Sequence, residues 1–251
     1  MLFNLFFLGN AGSGKTSLAY VFNIWIREKG LSSIICNLDP ASEYFPYIPD
    51  FDIKKYYDAK KIMIEEGLGP NGSILRAVDL INGNFDKWFS DILKKKSDFI
   101  IYDTPGQLET LLYRDSGISL LSKIGKSGKA VGVYLIESKL SNSPMSLSTV
   151  LMQANITKVR LDLPLILAIS KSDLGTRDNI EQLITDMEYL EATIVKEGKG
   201  GQKDTAILLC RALSEIPWKQ RIIKVSSTLN TGLGELYDIV NEAFCACGDI
   251  T

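Results

Sequence analysis

The stretch FNLFFLGNAGSGKTS, residues 3–17, decides the fold. Its apolar first half predicts a buried strand, and its second half matches G-x-x-x-x-G-K-[ST], whose glycines let backbone N–H groups wrap a phosphate chain. The helix that follows turns its positive end toward the same charge. Lys15 is expected to reach the β- and γ-phosphates, and the Thr16 hydroxyl to ligate Mg²⁺. The predicted phosphate-binding residues are Gly9, Asn10, Ala11, Gly12, Ser13, Gly14, Lys15, Thr16 and Ser17.

Further apolar runs follow along the chain, and they are continuous rather than alternating, which is typical of parallel strands covered on both faces. They lie at 33–38, 99–102, 130–136, 165–169 and 222–225. Helical patterns separate them, at about 15–29, 72–81, 146–160 and 234–244. This alternation predicts the α/β class: a doubly wound, mostly parallel sheet of the P-loop NTPase type with helical insertions. Ligands of such sheets bind at the carboxyl ends of the strands.

The length of 251 residues suits a single domain, 1–251, with two excursions from the strand–helix alternation. The first, from about 40 to 96, is polar and partly helical and contains a Gly-Pro-Asn tripeptide. The second, from about 174 to 221, carries a glycine-rich piece at 198–201. We interpret the second excursion as a helical insertion that forms a lid or a partner surface.

The composition limits both the chemistry and the partners. The formal net charge is −2, so neither nucleic acid nor an anionic membrane is expected as a partner. Because there is no histidine, chemistry must rest on carboxylates, amides, hydroxyls, Lys, Arg or a hard metal. The four cysteines form no C-x-x-C pairs, and no third ligand completes a metal site at Cys245 and Cys247, which favours a reducing, cytoplasmic location. The apolar start has the features of a strand and not of a signal peptide, and no run is long enough to span a membrane.

Two aspartates end predicted strands beside the P-loop. Asp103 opens the turn Asp-Thr-Pro-Gly-Gln, and we expect it to hold Mg²⁺ directly or through water. Asp39 is expected to orient the attacking water or a Mg²⁺-bound water, and Gly106 to allow close backbone approach to the γ-phosphate. An aspartate at the end of a strand also serves as a turn or helix cap. The P-loop in the same sheet favours the metal role.

The segment Ser170-Lys171-Ser172-Asp173 is similar to the [NT]-K-x-D motif with which GTPases read guanine. An aspartate accepts hydrogen bonds from the N1–H and the exocyclic amine of guanine, whereas adenine offers no such donor pair. Lys171 would lay its aliphatic stem along the base. Ser226 and Ser227 lie where such proteins place a small residue whose backbone contacts the base. A polar surface loop is the alternative, since a serine stands in place of the usual Asn or Thr.

Together, the P-loop GNAGSGKT, the strand end LDPA, the turn DTPGQ-x-E and the Gly-Pro-Asn tripeptide resemble the GPN-loop GTPases. These are homodimeric P-loop GTPases of archaea and eukaryotes, and the resemblance covers nearly the whole chain. The compact length and the lack of histidine favour the archaeal type. The resemblance implies GTP and GDP as ligands, Mg²⁺ as cofactor and a nucleotide-driven switch. Because the eukaryotic relatives are implicated in assembling RNA polymerase, it also implies an assembly factor with a protein client.

The same resemblance implies that the tripeptide of one subunit enters the active site of the other. Asn71 would then contact the γ-phosphate or the attacking water, while Gly69 and Pro70 fix the shape of the loop. Gln107 and Glu109 match the family segment and are expected to position water or to couple the loop to the nucleotide state. From the residues alone, Gly-Pro-Asn is only a good turn sequence.

Two alternative functions remain open at this stage. An ATPase or small-molecule kinase would use the same P-loop without the guanine-reading segment, and a nucleotide-dependent scaffold would turn over little. Asp39, Gln107 and Asn71 favour hydrolysis. Arg76 and Arg114 are predicted as surface or interface residues and not as cationic fingers. Some related P-loops carry a lysine that acts in the partner's site, and this chain has an asparagine at that position.

Overall fold

A computed structural model describes residues 2–216 and 222–246. Its strands are β1 (Phe3–Gly9), β2 (Ser33–Asn37), β3 (Phe51–Asp52), β4 (Phe99–Asp103), β5 (Lys129–Glu137), β6 (Leu165–Ser170) and β7 (Ile223–Lys224). They form one sheet in the order β3-β2-β4-β1-β5-β6-β7, and each pair of neighbours is parallel. The predicted doubly wound α/β sheet is confirmed.

Helices cover both faces of this sheet. Within the described ranges they are α1 (Lys15–Glu28), α2 (Ala59–Glu65), α3 (Pro70–Gly83), α4 (Phe85–Leu93), α5 (Glu109–Leu112), α6 (Asp115–Gly125), α7 (Ser138–Ser141), α8 (Pro144–Leu161), α9 (Ile180–Thr185), α10 (Met187–Glu197), α11 (Gln202–Ser214) and α12 (Leu233–Ala246). Helices α1 and α12 contribute to the core on one face, and α4, α6 and α8 to the core on the other. In the described part of the chain, no helix combines the length and the apolar character that a membrane span requires.

The central strand β1 shows why its sequence is apolar throughout. Successive side chains of a strand point to opposite faces. Leu5 and Phe7 accordingly join the core under α1 and α12, while Phe6 and Leu8 join the core under α8. All four are fully buried. Burying each such side chain stabilises the fold by roughly 1.5–3 kcal/mol, so both faces of the sheet need a continuous apolar run.

The strand order places the functional loops at one edge. Strand β1 lies between β4 and β5. After β1 the chain builds β2, β3 and β4 on one side of that strand, and it then builds β5, β6 and β7 on the other side. In the register of the sheet, Phe7 of β1 and Asn37 of β2 both lie opposite Asp103 of β4. The carboxyl ends of these three strands, and the loops that follow them, therefore meet beside the P-loop.

The two excursions are mainly helical. The first excursion contains α2, α3 and α4, and the second contains α9, α10 and α11. Helices α10 and α11 pack against α8. Strand β3 is absent from the sequence-based prediction because two residues are too few to show a pattern. The helix predicted from Gly72 begins at Pro70, since proline at the first helical position loses no hydrogen bond and has a suitable φ.

Candidate nucleotide-binding and catalytic site

The P-loop joins β1 to α1, and its glycines adopt backbone conformations that other residues rarely take. Gly9 has a φ of +138°, and a Cβ at this position would lie 2.7 Å from the carbonyl oxygen of Leu135. Gly14, the N-cap residue of α1, has a φ of +89°. The Ser13 N–H donates to the Asn10 carbonyl oxygen at 3.1 Å, which closes the loop. The positive end of a 14-residue helix thereby lies at the carboxyl edge of the sheet.

Lys15 is folded into the P-loop and is only 5% exposed. Its Nζ donates to the carbonyl oxygens of Gly9 at 2.9 Å, Asn10 at 3.0 Å and Gly106 at 3.5 Å. Burial lowers the pKa of Lys15, and nearby carboxylates, Asp103 foremost, oppose that shift. An ammonium group held by neutral carbonyl oxygens gains by exchanging them for anionic phosphate oxygens.

Asp103 ends β4 and is 2% exposed. Its Oδ1 accepts a hydrogen bond from the Thr16 hydroxyl at 3.1 Å, and its Oδ2 accepts one from the Tyr47 hydroxyl at 3.0 Å. Burial raises the pKa of Asp103 to about 6, although the two hydrogen bonds act in the opposite direction. Burial, and then the charge of Asp103, raise the pKa of Tyr47, so its hydroxyl stays a neutral donor near pH 7.

Asp39 connects the loop after β2 to the turn after β4. Its N–H donates to Asn37 Oδ1 at 2.8 Å, and its carboxylate accepts from the N–H of Ala41 at 2.9 Å and of Gly106 at 3.4 Å. Asp39 and Gly106 line the same cleft as Lys15. The predicted catalytic aspartate therefore lies next to the predicted phosphate-binding lysine.

These groups face one cleft of about 360 Å³. The predicted residues that line it are Gly12, Gly14, Lys15, Thr16, Ser17, Asp39, Asp103, Gly106 and Lys171. The predicted loop residues Gly9, Asn10, Ala11 and Ser13 build the P-loop without lining the cleft. Ser42, Tyr44 and Phe45 also line the cleft, and Tyr47 contacts Asp103, although no sequence motif predicted these four residues. Their only local signal is a group of aromatic residues soon after the LDPA strand end.

The oxygen donors of this cleft fit a magnesium ion. Mg²⁺ in proteins prefers one or two carboxylates together with phosphate oxygens and water. The Thr16 hydroxyl already touches the Asp103 carboxylate, and the Asp39 carboxylate faces the same cleft. Two carboxylates and one hydroxyl leave positions for phosphate oxygens and water. The structure describes neither the side chain of Cys245 nor any part of Cys247.

Ser170 and Lys171, the first two residues of the segment predicted to read guanine, lie at the end of β6 and next to the P-loop. The Ser170 hydroxyl donates to the Ser13 carbonyl oxygen at 2.7 Å, so the base-side segment is tied to the P-loop. Lys171 adopts a φ of +55°, and its Nζ pairs with Glu137 Oε1 at 3.0 Å. The charged end of Lys171 is thus held by Glu137 at the end of β5, and Lys171 lines the cleft.

Asp173 is exposed, and a hydrogen bond from Ser226 orients its carboxylate. The buried Ser226 hydroxyl donates to Asp173 Oδ1 at 2.5 Å. The Ser226 N–H donates to the Thr231 carbonyl oxygen at 3.1 Å, so this backbone group is already engaged. Ser227, the other serine expected to contact the base, is partly exposed. Ser226 was predicted to contact the base through its backbone, and in the structure its side chain also holds Asp173.

Known proteins resemble this chain in sequence and in fold. Residues 7–246 match a family described as a conserved hypothetical ATP binding protein. A GPN-loop GTPase of Pyrococcus abyssi is 30% identical over 250 residues, which cover 98% of each chain. This chain belongs to the GPN-loop GTPase family. The crystal structure of a GTPase in apo form from Pyrococcus abyssi has a TM-score of 0.83 to this GPN-loop GTPase, at 29% identity and 98% coverage of each chain.

The eukaryotic relatives are longer than this GPN-loop GTPase. GPN-loop GTPase 1 of Dictyostelium discoideum is 31% identical over 196 residues, which are 77% of this chain and 50% of that protein. GPN-loop GTPase 1 of Saccharomyces cerevisiae is 28% identical over 246 residues, which are 94% of this chain and 64% of that protein. The chain therefore spans nearly all of the Pyrococcus relative and about half to two thirds of these two.

The Gly-Pro-Asn tripeptide of this GPN-loop GTPase forms the start of α3. Gly69 is the N-cap residue, Pro70 is the first helical residue, and Asn71 is exposed in the first turn. None of the three lines the nucleotide cleft of its own chain. Pro70 instead lines a neighbouring groove with Pro40 and Ala41. The tripeptide is thus accessible but separate from the cleft of the chain that carries it.

The remaining candidate residues of this GPN-loop GTPase lie at its surface. Gln107 and Glu109 are exposed, and neither lines the cleft. Arg76 and Arg114 are each paired with a carboxylate of their own chain, at 3.0 Å and 2.8 Å. A water-positioning role for Gln107 or Glu109 therefore requires the segment after β4 to move or a second chain to approach.

Proposed function

We propose that this chain binds GTP with Mg²⁺ and hydrolyses it to GDP and phosphate, as a homodimer whose conformation follows the nucleotide. One observation carries the proposal: groups for the phosphates, the cation and the base lie at one edge of the sheet. Lys15, the Thr16–Asp103 pair and Lys171 line a single cleft, and Asp173 follows shortly after Lys171. The relatives named GTPases support the same activity.

The base side favours guanine over adenine. Ser226 occupies one oxygen of the Asp173 carboxylate, and a carboxylate has about four acceptor positions. Capacity therefore remains for the N1–H and the exocyclic amine of guanine. Adenine would set its unprotonated N1 against the carboxylate, and an unmatched polar group costs on the order of 1–3 kcal/mol. The free acceptor positions of Asp173 therefore favour GTP, although the description of the matching family names ATP.

Different residues of the cleft would bind the phosphates, hold the cation and orient the attacking water. Lys15 would exchange its carbonyl partners for β- and γ-phosphate oxygens, and Thr16 and Asp103 would hold Mg²⁺. When bound, Mg²⁺ neutralises charge on the phosphate oxygens. Asp39 would accept a hydrogen bond from the attacking water. The water oxygen then bonds to the γ-phosphorus, the bond to the β–γ bridging oxygen breaks, and both protons of water leave with the phosphate as H₂PO₄⁻, while GDP keeps the bridging oxygen.

A second copy of the chain would complete this site. Among the described residues, no side-chain amide lines the cleft. An amide can donate to a phosphate oxygen and accept from water, so it is suited to position the nucleophile. Asn71 is exposed at the start of α3 and lies outside its own cleft. These two facts support delivery of Asn71 by the partner subunit, with the positive end of α3 beside the γ-phosphate.

The output of the switch would be a movement passed to a protein client, in the manner of an assembly factor in the cytoplasm. The N–H of Ala59, at the start of α2, donates to the carbonyl oxygen of Pro40 at 3.0 Å. A shift of Asp39 toward the γ-phosphate would therefore be transmitted to α2 and to α3, against which α2 packs. The thiols of Cys36 and Cys210 are free and buried, which suits a reducing compartment.

Phosphate release measured with GTP and with ATP, each with and without Mg²⁺, tests the proposal. We expect release that requires both GTP and Mg²⁺, with little from ATP, and none from a Lys15→Ala control. Equal or faster release from ATP would favour the ATPase or kinase alternative. GTP binding without release under any condition would favour the scaffold alternative.

A further inference from the structure

We propose that Tyr47 is the positioning residue of the cation site: its hydroxyl orients the Asp103 carboxylate and fastens residues 43–48 over the nucleotide cleft. This inference rests on the proposed Mg²⁺-dependent function and adds a residue outside the P-loop to the cation site. The inference also predicts that two properties change together: how firmly residues 43–48 are held over the cleft, and the affinity of the site for Mg²⁺.

Asp103 is held by two hydroxyl donors. A carboxylate that is 2% exposed needs donors for its oxygens. Thr16 supplies one to Oδ1 and Tyr47 supplies one to Oδ2, whereas the Lys15 ammonium donates to backbone carbonyls. Two bonds occupy about half of the acceptor positions of a carboxylate. Tyr47 can therefore fix the plane of the carboxylate without displacing a cation or a cation-bound water.

The ring of Tyr47 packs against two other aromatic rings. It stacks on Tyr20 of α1, with centroids 5.4 Å apart and planes 11° from parallel. The Phe45 ring packs against it with centroids 5.5 Å apart. Helix α1 also carries Thr16, so one rigid element holds both the ring of Tyr47 and the hydroxyl that donates to the other carboxylate oxygen. The ring contacts thus hold the Tyr47 hydroxyl in place relative to Thr16 and Asp103.

The segment that carries Tyr47 is irregular and largely exposed. Residues 43–48, all within the described part of the chain, form no helix or strand, and Tyr44 and Ile48 are 82% and 94% exposed. The hydrogen bond from the Tyr47 hydroxyl to Asp103 ties this stretch to the end of β4. Tyr44 and Phe45 line the cleft. Loss of the Tyr47 hydroxyl should therefore loosen one wall of the nucleotide site.

Tyr47→Phe removes the hydroxyl and keeps the ring, and Tyr20→Phe is its matched control. The control removes a phenol oxygen from the stacking partner, which makes no bond to Asp103. In the first assay, MgCl₂ is titrated calorimetrically into the complex with guanylyl imidodiphosphate, a GTP analogue that is not hydrolysed. Lost outer-sphere partners typically weaken metal binding 10–100-fold, so we expect about tenfold weaker binding for Tyr47→Phe and less than a twofold change for the control.

The second assay uses no metal and no nucleotide. Glutamyl endopeptidase cleaves after Glu43, and we expect cleavage several-fold faster in Tyr47→Phe than in wild type or Tyr20→Phe. Unchanged Mg²⁺ affinity with an unchanged cleavage rate overturns the inference, as does tighter Mg²⁺ binding, which would show that the hydroxyl competes with the cation. If the complex of wild-type protein with the analogue binds no Mg²⁺, the proposed Mg²⁺-dependent function fails, and the cleavage rates still decide whether Tyr47 fastens the segment.

Discussion

Asp103→Asn should change how the stability of the nucleotide-free protein depends on pH. Burial raises the pKa of Asp103 to about 6 in the folded chain, against 3.8 for a free side chain. Between these values the folded protein holds a proton that the unfolded chain has released. The contribution of Asp103 to the free energy of unfolding is therefore fully present below about pH 4 and is lost as the pH rises through about 6.

The magnitude follows from the size of the shift. About two units at roughly 1.4 kcal/mol per unit give about 3 kcal/mol in full, of which about 2 kcal/mol falls between about pH 4.5 and 7.5. Asparagine does not titrate. Its side chain cannot accept from both Thr16 and Tyr47 through oxygen, so the variant also carries a constant penalty of roughly 1–3 kcal/mol. That penalty does not depend on pH. The slope of the free-energy difference between wild type and variant against pH therefore reports only the titration of Asp103.

Urea unfolding followed by circular dichroism, with EDTA and no nucleotide, measures the effect. We expect the unfolding free energy of wild type minus that of Asp103→Asn to fall by about 2 kcal/mol from about pH 4.5 to 7.5. A difference that stays constant across this range contradicts the environment described for Asp103. With Mg²⁺ and GDP the trend should reverse, because a carboxylate that binds a cation must be ionised.

Three other substitutions test separate parts of the site. Lys15→Ala should abolish GTP binding in a calorimetric titration, and wild-type turnover in this variant would contradict the P-loop assignment. Asp173→Asn should weaken GTP binding and improve xanthosine triphosphate binding in a competition assay, because xanthine carries a carbonyl where guanine carries its amine. An unchanged preference for GTP would remove Asp173 as the base reader. Asn71→Ala should leave GTP binding nearly intact and lower kcat by about 10²-fold in phosphate-release kinetics, and an unchanged kcat would exclude Asn71 from catalysis.

The sheet and the P-loop could be predicted from the sequence because their determinants are local. A continuous apolar run marks a strand buried on both faces, as in β1, and the glycines of the P-loop mark backbone conformations that other residues avoid. Strand β3 has only two residues and gives no such pattern. The start of α3 at Pro70 could have been placed correctly, since proline is favoured at the first position of a helix.

The connections between distant residues could not be predicted in this way. Tyr47 contacts Asp103 across 56 residues, and Ser226 contacts Asp173 across 53 residues. Both pairs arise because parallel strands bring their carboxyl ends to one edge, whatever their separation along the chain. An aromatic residue in a polar loop gives no sign of which carboxylate it will reach, so Tyr47 emerged only from the structure.

Mixing two inactive variants tests the central claim, that Asn71 acts in the partner's site, most directly. A Lys15→Ala chain cannot bind GTP productively but carries an intact Asn71, while an Asn71→Ala chain binds GTP but lacks the amide. In a heterodimer, the Asn71→Ala chain would receive Asn71 from its partner and form one complete site. We predict that phosphate release rises on mixing to a level set by the heterodimer fraction, which is measured separately from differently tagged chains. Heterodimers that form without any gain in phosphate release would contradict the account.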